Sequence, residues 1–491
     1  MESVRVKNYK SILDSEEIEI KPLTVLVGKN SAGKSSFIRL FPLLKQTLEK
    51  KVDGSLLWYG DYVDFGDFDT TISRNLPDNS NIEMSFKFMT YPRILRFLSF
   101  KLVSPFITKL SFKINKKKIS EYCIELFDQT IAMKIDSNDR TKIFLNGMEY
   151  TIDDKVIAQR MSGDILPILV FDDEKSNYIY DYEELSFSIR NKIIDELGVL
   201  RTSQRQEIKP IKSFSKESIL SLIQTLNKEK YGDYTIDSPQ FMEVNNHILM
   251  SVLSYIFETI NYTFYNEFSN TSYLKPIRAA VSRYYRVQGI SVNEVDSDGS
   301  NLPMLLNNMT PKQLIEFEKW SKEKFGIVFS IDSRVIGHLS LIIRNDVGSD
   351  EFTNVADAGY GYSQMLPIVV LLWNIHNKKT IRVKDNSRII IIEQPELHLH
   401  PGFQSKMLDV FANVINECKK NRIDLKIVFE THSETMINRI GYLIYKKRVL
   451  RDDVNILVFD KKDGKTNILK TNFSDDGILE NWPVDFLSVE D

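Results

Sequence analysis

Two kinds of apolar pattern divide this chain. Short runs that are apolar almost throughout occur as LTVLV at 23–27, IIII from Ile389 and LKIVF from Leu425, the pattern of strands buried on both faces. Alternating runs occur as VRVKNYKSI and EEIEI near the start, and as IEMSFKFM, KLSFKI, IAMKI and KIFLNG within 81–200, the pattern of half-buried strands. Asn146-Gly147 reads as a hairpin turn between KIFL and EYTI. Helical spacing is predicted for SSFIRLFPLLKQTLEK, with a kink at Pro42, for two long stretches within 215–270, and for 312–325. No heptad persists for several repeats, which argues against a long coiled coil. IVFSIDSR with HLSLIIRN predicts a hairpin, and so does the tail around Asp463-Gly464, followed by a loop at Trp482-Pro483. The segment from Trp58, rich in aromatics, Gly and Asp, reads as a loop near a ligand. Buried parallel strands alternating with helices place the chain in the α/β class.

The first buried run opens onto chemistry. GKNSAGKSS, from Gly28, matches G-x-x-x-x-G-K-[ST] in full, with a strand before it and a helix after it. Its backbone N–H groups cradle phosphates, Lys34 reaches the β- and γ-phosphates, and the Ser35 hydroxyl binds Mg²⁺. Gly28, Asn30, Ser31, Gly33, Lys34, Ser35 and Ser36 are therefore the expected nucleotide contacts, with a nucleoside triphosphate and Mg²⁺ as cofactors.

Composition narrows the setting. The 491 residues, with 64 Lys+Arg against 67 Asp+Glu, carry a net charge of −3, so the whole chain lacks a nucleic-acid signature. Two cysteines, Cys123 and Cys418, do not make a disulfide scaffold. No signal peptide and no membrane span is visible, so the expected location is the cytoplasm.

The last third carries four ordered features. DAGYGYSQMLP, from Asp357, sets Gly359 and Gly361 before Ser363 and Gln364 at a helix start, which reads as an anion-contacting turn or an ordinary helix cap. Glu393 ends the isoleucine strand, where a carboxylate holds Mg²⁺. Gln394, Glu396, His398 and His400 follow it; the histidines read as metal ligands or as a loop at a subunit boundary. His432 ends the next strand and is a candidate γ-phosphate contact. The tail hairpin reads as an edge element. Arg278, Arg283 and Arg286, beside Tyr284 and Tyr285, suit either phosphate or carboxylate partners. Lys116-Lys117-Lys118 reads as a solvated turn.

This order resembles the ABC-type ATPases of the SMC and OLD group. GYGYSQMLP, EQPELHLHP and YLKPIRAAVSRYYRVQG look like the subgroup containing PtuA of the Septu antiphage systems, which also occurs beside some retrons. The resemblance implies an ABC-type ATPase head in two halves, 1–80 and 351–491, around a large insertion, 81–350, β-rich and then helical. It implies a homo-oligomer of paired heads with ATP sandwiched between them. One face supplies the phosphate loop, Glu393 and His432, and the opposite subunit supplies Gly359, Gly361, Ser363 and Gln364. It also implies a separate HNH-type, PtuB-like effector nuclease, a nucleic-acid partner (DNA or retron RNA–DNA), and no membrane.

One departure stands out: relatives carry a water-activating Glu directly after the metal carboxylate, and this chain has Gln394. An amide positions water but takes no proton. Either hydrolysis is slow, or Glu396 restores it; the catalytic candidates are Gln394, Glu396 and His432. About sixty residues follow His432, fewer than a typical nuclease domain, so the effector is expected on another chain. The alternative function is an SMC/OLD-like ATPase in DNA repair or handling; a transporter subunit fits less well, given over three hundred residues between the phosphate loop and the signature turn.

Overall fold

The computed structural model describes residues 1–77, 80–91, 104–150, 156–171, 213–345, 351–377 and 387–482. The predicted β-runs from 172 onward within 81–200, the end of EYTI and Pro483 lie outside the described residues. The chain forms two compact units interleaved in sequence. One comprises Met1–Ile18, Leu44–Gly60 and Asp64–Ser269, and the other Glu19–Leu43, Asp61–Val63 and Asn270–Asp491.

The first unit is built on a nine-stranded sheet. It runs Met148–Tyr150, Thr141–Leu145, Gln129–Ile135, Ile119–Leu126, Phe106–Ile114, Ile82–Thr90, Ser3–Tyr9 and Ile12–Asp14, with Ile18–Glu19 also on Ser3–Tyr9. Burial alternates strictly along Ile82–Thr90, as its sequence alternates, so one face packs and the other meets water. On the wet face Lys109 pairs with Glu125 and Lys113 with Glu121, residues that lie opposite each other in register. On the dry face the helix Leu253–Ser269 lays Phe264 and Phe268 edge-on against Phe86, with ring centroids 5.4 and 5.5 Å away. The Asn146-Gly147 turn forms as expected, both residues at positive φ (51° and 83°). The Asn146 amide donates to Gln129 and Asn246, tying the turn to the helix Pro239–Ser251. The lysine turn is solvated, with Lys116 paired to Asp69 and Lys118 to Asp139.

Asp164 lines a cavity of about 600 Å³ in this unit, with Glu258 and Tyr262 among its walls. Burial, and then the Glu258 charge, push its carboxyl up to about 6. A carboxyl raised on folding contributes its full stability below its ordinary value near 4 and loses it as pH rises through about 6. The Asp164→Asn variant should therefore unfold a few degrees above wild type at pH 8 and together with it at pH 4. Solvent screening at this half-buried site limits the gain to about 1 kcal/mol. Thermal melts at the two pH values check this.

The second unit holds a seven-stranded sheet in the order Thr271–Leu274, Ser387–Glu393, Asp424–Glu430, Leu23–Gly28, Val454–Lys462, Lys465–Phe473, Leu479–Glu480. The first five strands are parallel and the rest antiparallel. Every residue of Leu23–Gly28 is buried, as the almost wholly apolar run requires. The strand Thr271–Leu274, which comes from inside 81–350, forms one edge of this sheet. The hairpin expected around Asp463-Gly464 joins the two strands on the other side of Leu23–Gly28.

The helix Tyr360–Asn377 is buried almost all round despite Pro367 inside it, so it works as core rather than as a one-faced surface helix. Met365, Leu366, Val369, Met407, Phe411, Ile437 and Ile440 from three helices pack with Ile390, Ile392, Ile427, Phe429 and Ile456 of the sheet. The expected hairpin of Ile327–Asp332 with His338–Asn345 forms a separate small sheet.

Two expectations are corrected. The helix after the phosphate loop is not continuous: Lys34–Ile38 ends, Arg39 intervenes, and Leu40–Glu49 begins. Pro42 has no N–H for the Ile38 carbonyl, so it ends the first helix and sits within the first turn of the second, where no donor is lost. The Trp58 segment is not wholly loop, because Asp67 caps a short helix, Phe68–Thr71, through a capping box.

Candidate nucleotide-binding site

Strand order locates the site. Numbered along the chain, the five parallel strands lie 2-3-4-1-5, so the connection from the fourth to the fifth passes over the first. Ligands of open α/β sheets bind where strand order reverses, outside the carboxyl ends. Leu23–Gly28 is that first strand, and the phosphate loop leaves its carboxyl end.

The loop needs its glycines. Gly28 has φ 153°, and a Cβ there would lie 2.3 Å from the Phe459 carbonyl oxygen on the neighbouring strand. Ser31 and Gly33 also have positive φ, 61° and 105°, which turns the backbone of residues 29–33 into a tight loop. Thr466 Oγ1 donates to the Ala32 carbonyl from the tail hairpin and braces the loop from outside. Lys34 is 3 % exposed, and its Nζ donates to the Gly28 and Lys29 carbonyls at 2.7 and 2.9 Å. Burial lowers its pKa, against the nearby charges of Glu430 and Glu396.

Two carboxylates stand side by side at the ends of adjacent strands, because Glu393 and Glu430 are register partners. Glu430 accepts the Ser35 hydroxyl at 2.7 Å and lies 4.0 Å from both Lys34 Nζ and His432 Nε2. Its pKa is raised, first by burial and then by Glu393. Glu393, 1 % exposed, takes a two-pronged hydrogen bond from Arg39 at 2.7 and 2.8 Å and the Tyr273 hydroxyl at 2.7 Å. Arg39 is raised by that bond to Glu393, and the Tyr273 phenol is raised by burial and then by Glu393.

Glu430, Arg39 and Tyr273 escaped the sequence reading. Glu430 carried a usable signal: it ends a buried strand just as Glu393 does, one residue before Thr431. Arg39 and Tyr273 carried none, since nothing local announces that they meet Glu393.

Around this centre the other expected residues take definite places. Gln394 leaves its strand at φ 45°, with its N–H on the Glu430 carbonyl. Glu396 Oε1 accepts the His432 backbone N–H at 2.7 Å and the Thr431 hydroxyl lies against the carboxylate, while Oε2 is shut from solvent and makes no hydrogen bond of ordinary geometry. Burial raises the Glu396 pKa. Burial, and then Lys34, lower that of His432, which keeps the imidazole neutral at pH 7. His398 packs its ring against Tyr360, and His400 caps the helix Pro401–Lys420. Among the described residues no group of three or more His, Cys, Asp or Glu side chains is arranged to hold a metal. The Ser35 hydroxyl and the Glu430 carboxylate nevertheless suit a hard cation beside phosphate, whereas both oxygens of Glu393, the expected metal carboxylate, are engaged by Arg39 and Tyr273.

The signature turn lies next to the Gln394–His400 loop of its own chain. Gly359, at φ 100°, is exposed, and a Cβ on Gly361 would sit 2.8 Å from the His398 carbonyl. Ser363 is buried and donates to the Tyr360 carbonyl. Gln364 is fully buried and brackets Arg278, accepting its N–H at 3.3 Å and donating to its carbonyl at 3.4 Å. Arg278, 1 % exposed, donates from Nη2 to the Glu393 carbonyl at 3.2 Å, and Arg283 pairs with Asp357 at 2.5 Å. Both arginines thus found protein acceptors, whereas Arg286 lies exposed in the two-residue strand Tyr285–Arg286.

A phosphate loop at the switch point of a parallel sheet, with carboxylates at the ends of neighbouring strands, defines a P-loop nucleoside triphosphatase site. Residues 1–437 match the AAA ATPase domain family, and the chain belongs to that family of nucleotide-binding ATPases. No curated protein matches it in sequence. Solved structures similar to it include an Smc head bound to the C-winged helix domain of ScpA (11 % identity, 96 % of this chain and 97 % of that one, TM-score 0.38). Another is an Smc head with an extended coiled coil bound to the C-terminal domain of ScpA, from Pyrococcus furiosus (12 %, 96 % and 96 %, 0.36). A third is the SMC head domain of Thermotoga maritima (10 %, 95 % and 97 %, 0.34). Among the described residues no helix is long and apolar enough to cross a membrane.

Proposed function

We propose that the protein is an SMC-like ABC-type ATPase acting as the regulatory subunit of a bacterial antiphage defence complex. Two heads pair head to tail with ATP between them, and the nucleotide state controls a separate HNH-type nuclease. The observation that carries the ATPase part of this reading is the gathering of the phosphate loop, Glu393, Glu430 and the Gln394–His432 region at one end of one sheet, beside an exposed glycine turn at Gly359; the defence role and the separate nuclease rest on the likeness of GYGYSQMLP and EQPELHLHP to PtuA-type subunits. In this reading the loop amides and Lys34 grip the triphosphate. Ser35 and Glu430 would hold Mg²⁺, which would supply charge neutralisation on the phosphates. Of the expected opposite-head contacts, Gly359 is exposed and meets the nucleotide of the opposite head with Tyr360 beside it, whereas Ser363 and Gln364 are buried within their own chain. The γ-phosphate joins the halves and its loss releases them.

Gln394 stands where a proton acceptor is expected, so the proton must pass to a group placed less directly, and turnover is slow. Gln394→Glu should raise kcat at least tenfold, since a positioned general base is commonly worth ~10²–10⁴; an unchanged kcat rejects that account. The pairing itself is tested by native mass measurement. Dimers or higher assemblies are expected with ATP and not without it, and a mass distribution indifferent to ATP overturns the paired-head reading.

A further inference from the structure

Three polar atoms beside the nucleotide site are buried and have no partner: Arg278 Nε, Arg278 Nη1 and Glu396 Oε2. Buried donors and acceptors in folded proteins are almost always satisfied, so a cluster of orphans marks a place for something polar. The two side chains are close enough to feel each other's charge, yet no direct ion pair joins them. Each is held from its other side. Arg278 is pinned by Gln364 through its backbone and by the Glu393 carbonyl through Nη2, and Glu396 is pinned by the His432 N–H through Oε1. The free Nε–H and Nη1–H of the guanidinium and the free oxygen of the carboxylate are therefore held in place by groups bonded elsewhere. Glu396 also acts electrostatically on Lys34 of the phosphate loop.

We propose that Arg278 and Glu396 hold the attacking water between them, and that Glu396 is the residue that takes its proton. This rests on the ATPase reading above and deepens it. The water accepts an N–H from Arg278 and donates to Glu396 Oε2, which satisfies orphan atoms on both sides at once. Its oxygen forms the bond to the γ-phosphorus. The bond from that phosphorus to the bridging oxygen breaks with its electron pair on ADP, and the water's proton passes to Glu396 Oε2. Arg278 aligns the water against Glu396, and Gln364 holds Arg278 in register, so the start of the signature helix is tied to the water site within one chain. Glu396 thus supplies, from two residues further on, the proton acceptor that position 394 lacks.

The test uses the full chain with ATP and Mg²⁺, measuring equilibrium ATP binding and steady-state hydrolysis separately. Glu396→Gln should cut kcat at least a hundredfold while ATP affinity stays within about threefold. Arg278→Met should cut kcat at least tenfold at similar affinity, and Arg278→Lys should recover part of the loss. A purely structural role is separated by the double variant Gln394→Glu/Glu396→Gln. With a carboxylate restored at 394 the second substitution should cost little, and adding Arg278→Met there should cost less than it does in wild type. Wild type that binds ATP but shows no hydrolysis overturns the ATPase reading itself. Wild type that hydrolyses ATP while Glu396→Gln leaves kcat unchanged overturns the proposal alone. So does equal loss on Glu396→Gln with and without Gln394→Glu.

Discussion

Replacing Lys34 by alanine should weaken ATP binding at least a hundredfold, while the far-ultraviolet dichroism of the protein stays unchanged. The ammonium is 3 % exposed and already dehydrated, held by the Gly28 and Lys29 carbonyls and facing Glu430. A cation in that state has had its desolvation met by the fold, so a triphosphate entering the loop gains its charge without stripping water from it. Truncating one partner of a buried, hydrogen-bonded charge pair costs about 2–5 kcal/mol, and 1.4 kcal/mol is a factor of ten. The upper half of that range applies because Glu393, Glu396 and Glu430 remain near the phosphates with one fewer positive charge to balance them. Titration with a fluorescent ATP analogue reads the loss directly. Affinity within tenfold of wild type would mean that Lys34 serves only to fold the loop.

The largest stability effect should come from Arg39→Met. Glu393 is 1 % exposed, and its two oxygens are held by Arg39 and Tyr273. Removing the arginine leaves a buried carboxylate with a phenol as its one side-chain partner, and breaking such a pair costs about 3–5 kcal/mol. The penalty belongs to the stranded charge rather than to the lost bond, so it should be largely reversed in Arg39→Met/Glu393→Gln, where the remaining group is neutral. Chemical denaturation of the two single variants and the double variant gives the coupling. If the double variant is as unstable as Arg39→Met alone, the arginine's contribution is packing and not charge balance.

Much of this site was legible before any coordinate. G-x-x-x-x-G-K-[ST] after a buried strand is a local pattern whose geometry follows from glycine's freedom at φ 153° and 105° and from the strand that feeds it. The unbroken isoleucines ahead of Glu393, and the hairpin turns at Asn146-Gly147 and Asp463-Gly464, were equally local. Legibility failed where a contact joined distant segments. Arg39 and Glu393 are 354 residues apart, and Ser35 and Glu430 are 395 apart, so no window of sequence contains either pair. The reading gave the metal-side carboxylate to Glu393, yet the Ser35 hydroxyl rests on Glu430, because Asp424–Glu430 lies between the phosphate-loop strand and Ser387–Glu393. Helix continuity failed for a different reason. Proline penalties in SSFIRLFPLLKQTLEK fix that a break occurs near Pro42, but not whether the chain kinks or restarts.

The sequence by itself determined that a phosphate loop follows a buried strand, that an alternating sheet accompanies a continuous-run one, and that position 394 carries an amide. Those are consequences of single residues and short periods: glycine at positive φ, side chains alternating or not along a strand, a group with no basic lone pair. Only the tertiary structure decided which carboxylate meets Ser35, which arginine neutralises Glu393, and that Arg278 and Glu396 are left with unsatisfied atoms beside the site. Each of these depends on the order of strands in a sheet, and that order is set by how long intervening segments pack, not by any residue at the site itself.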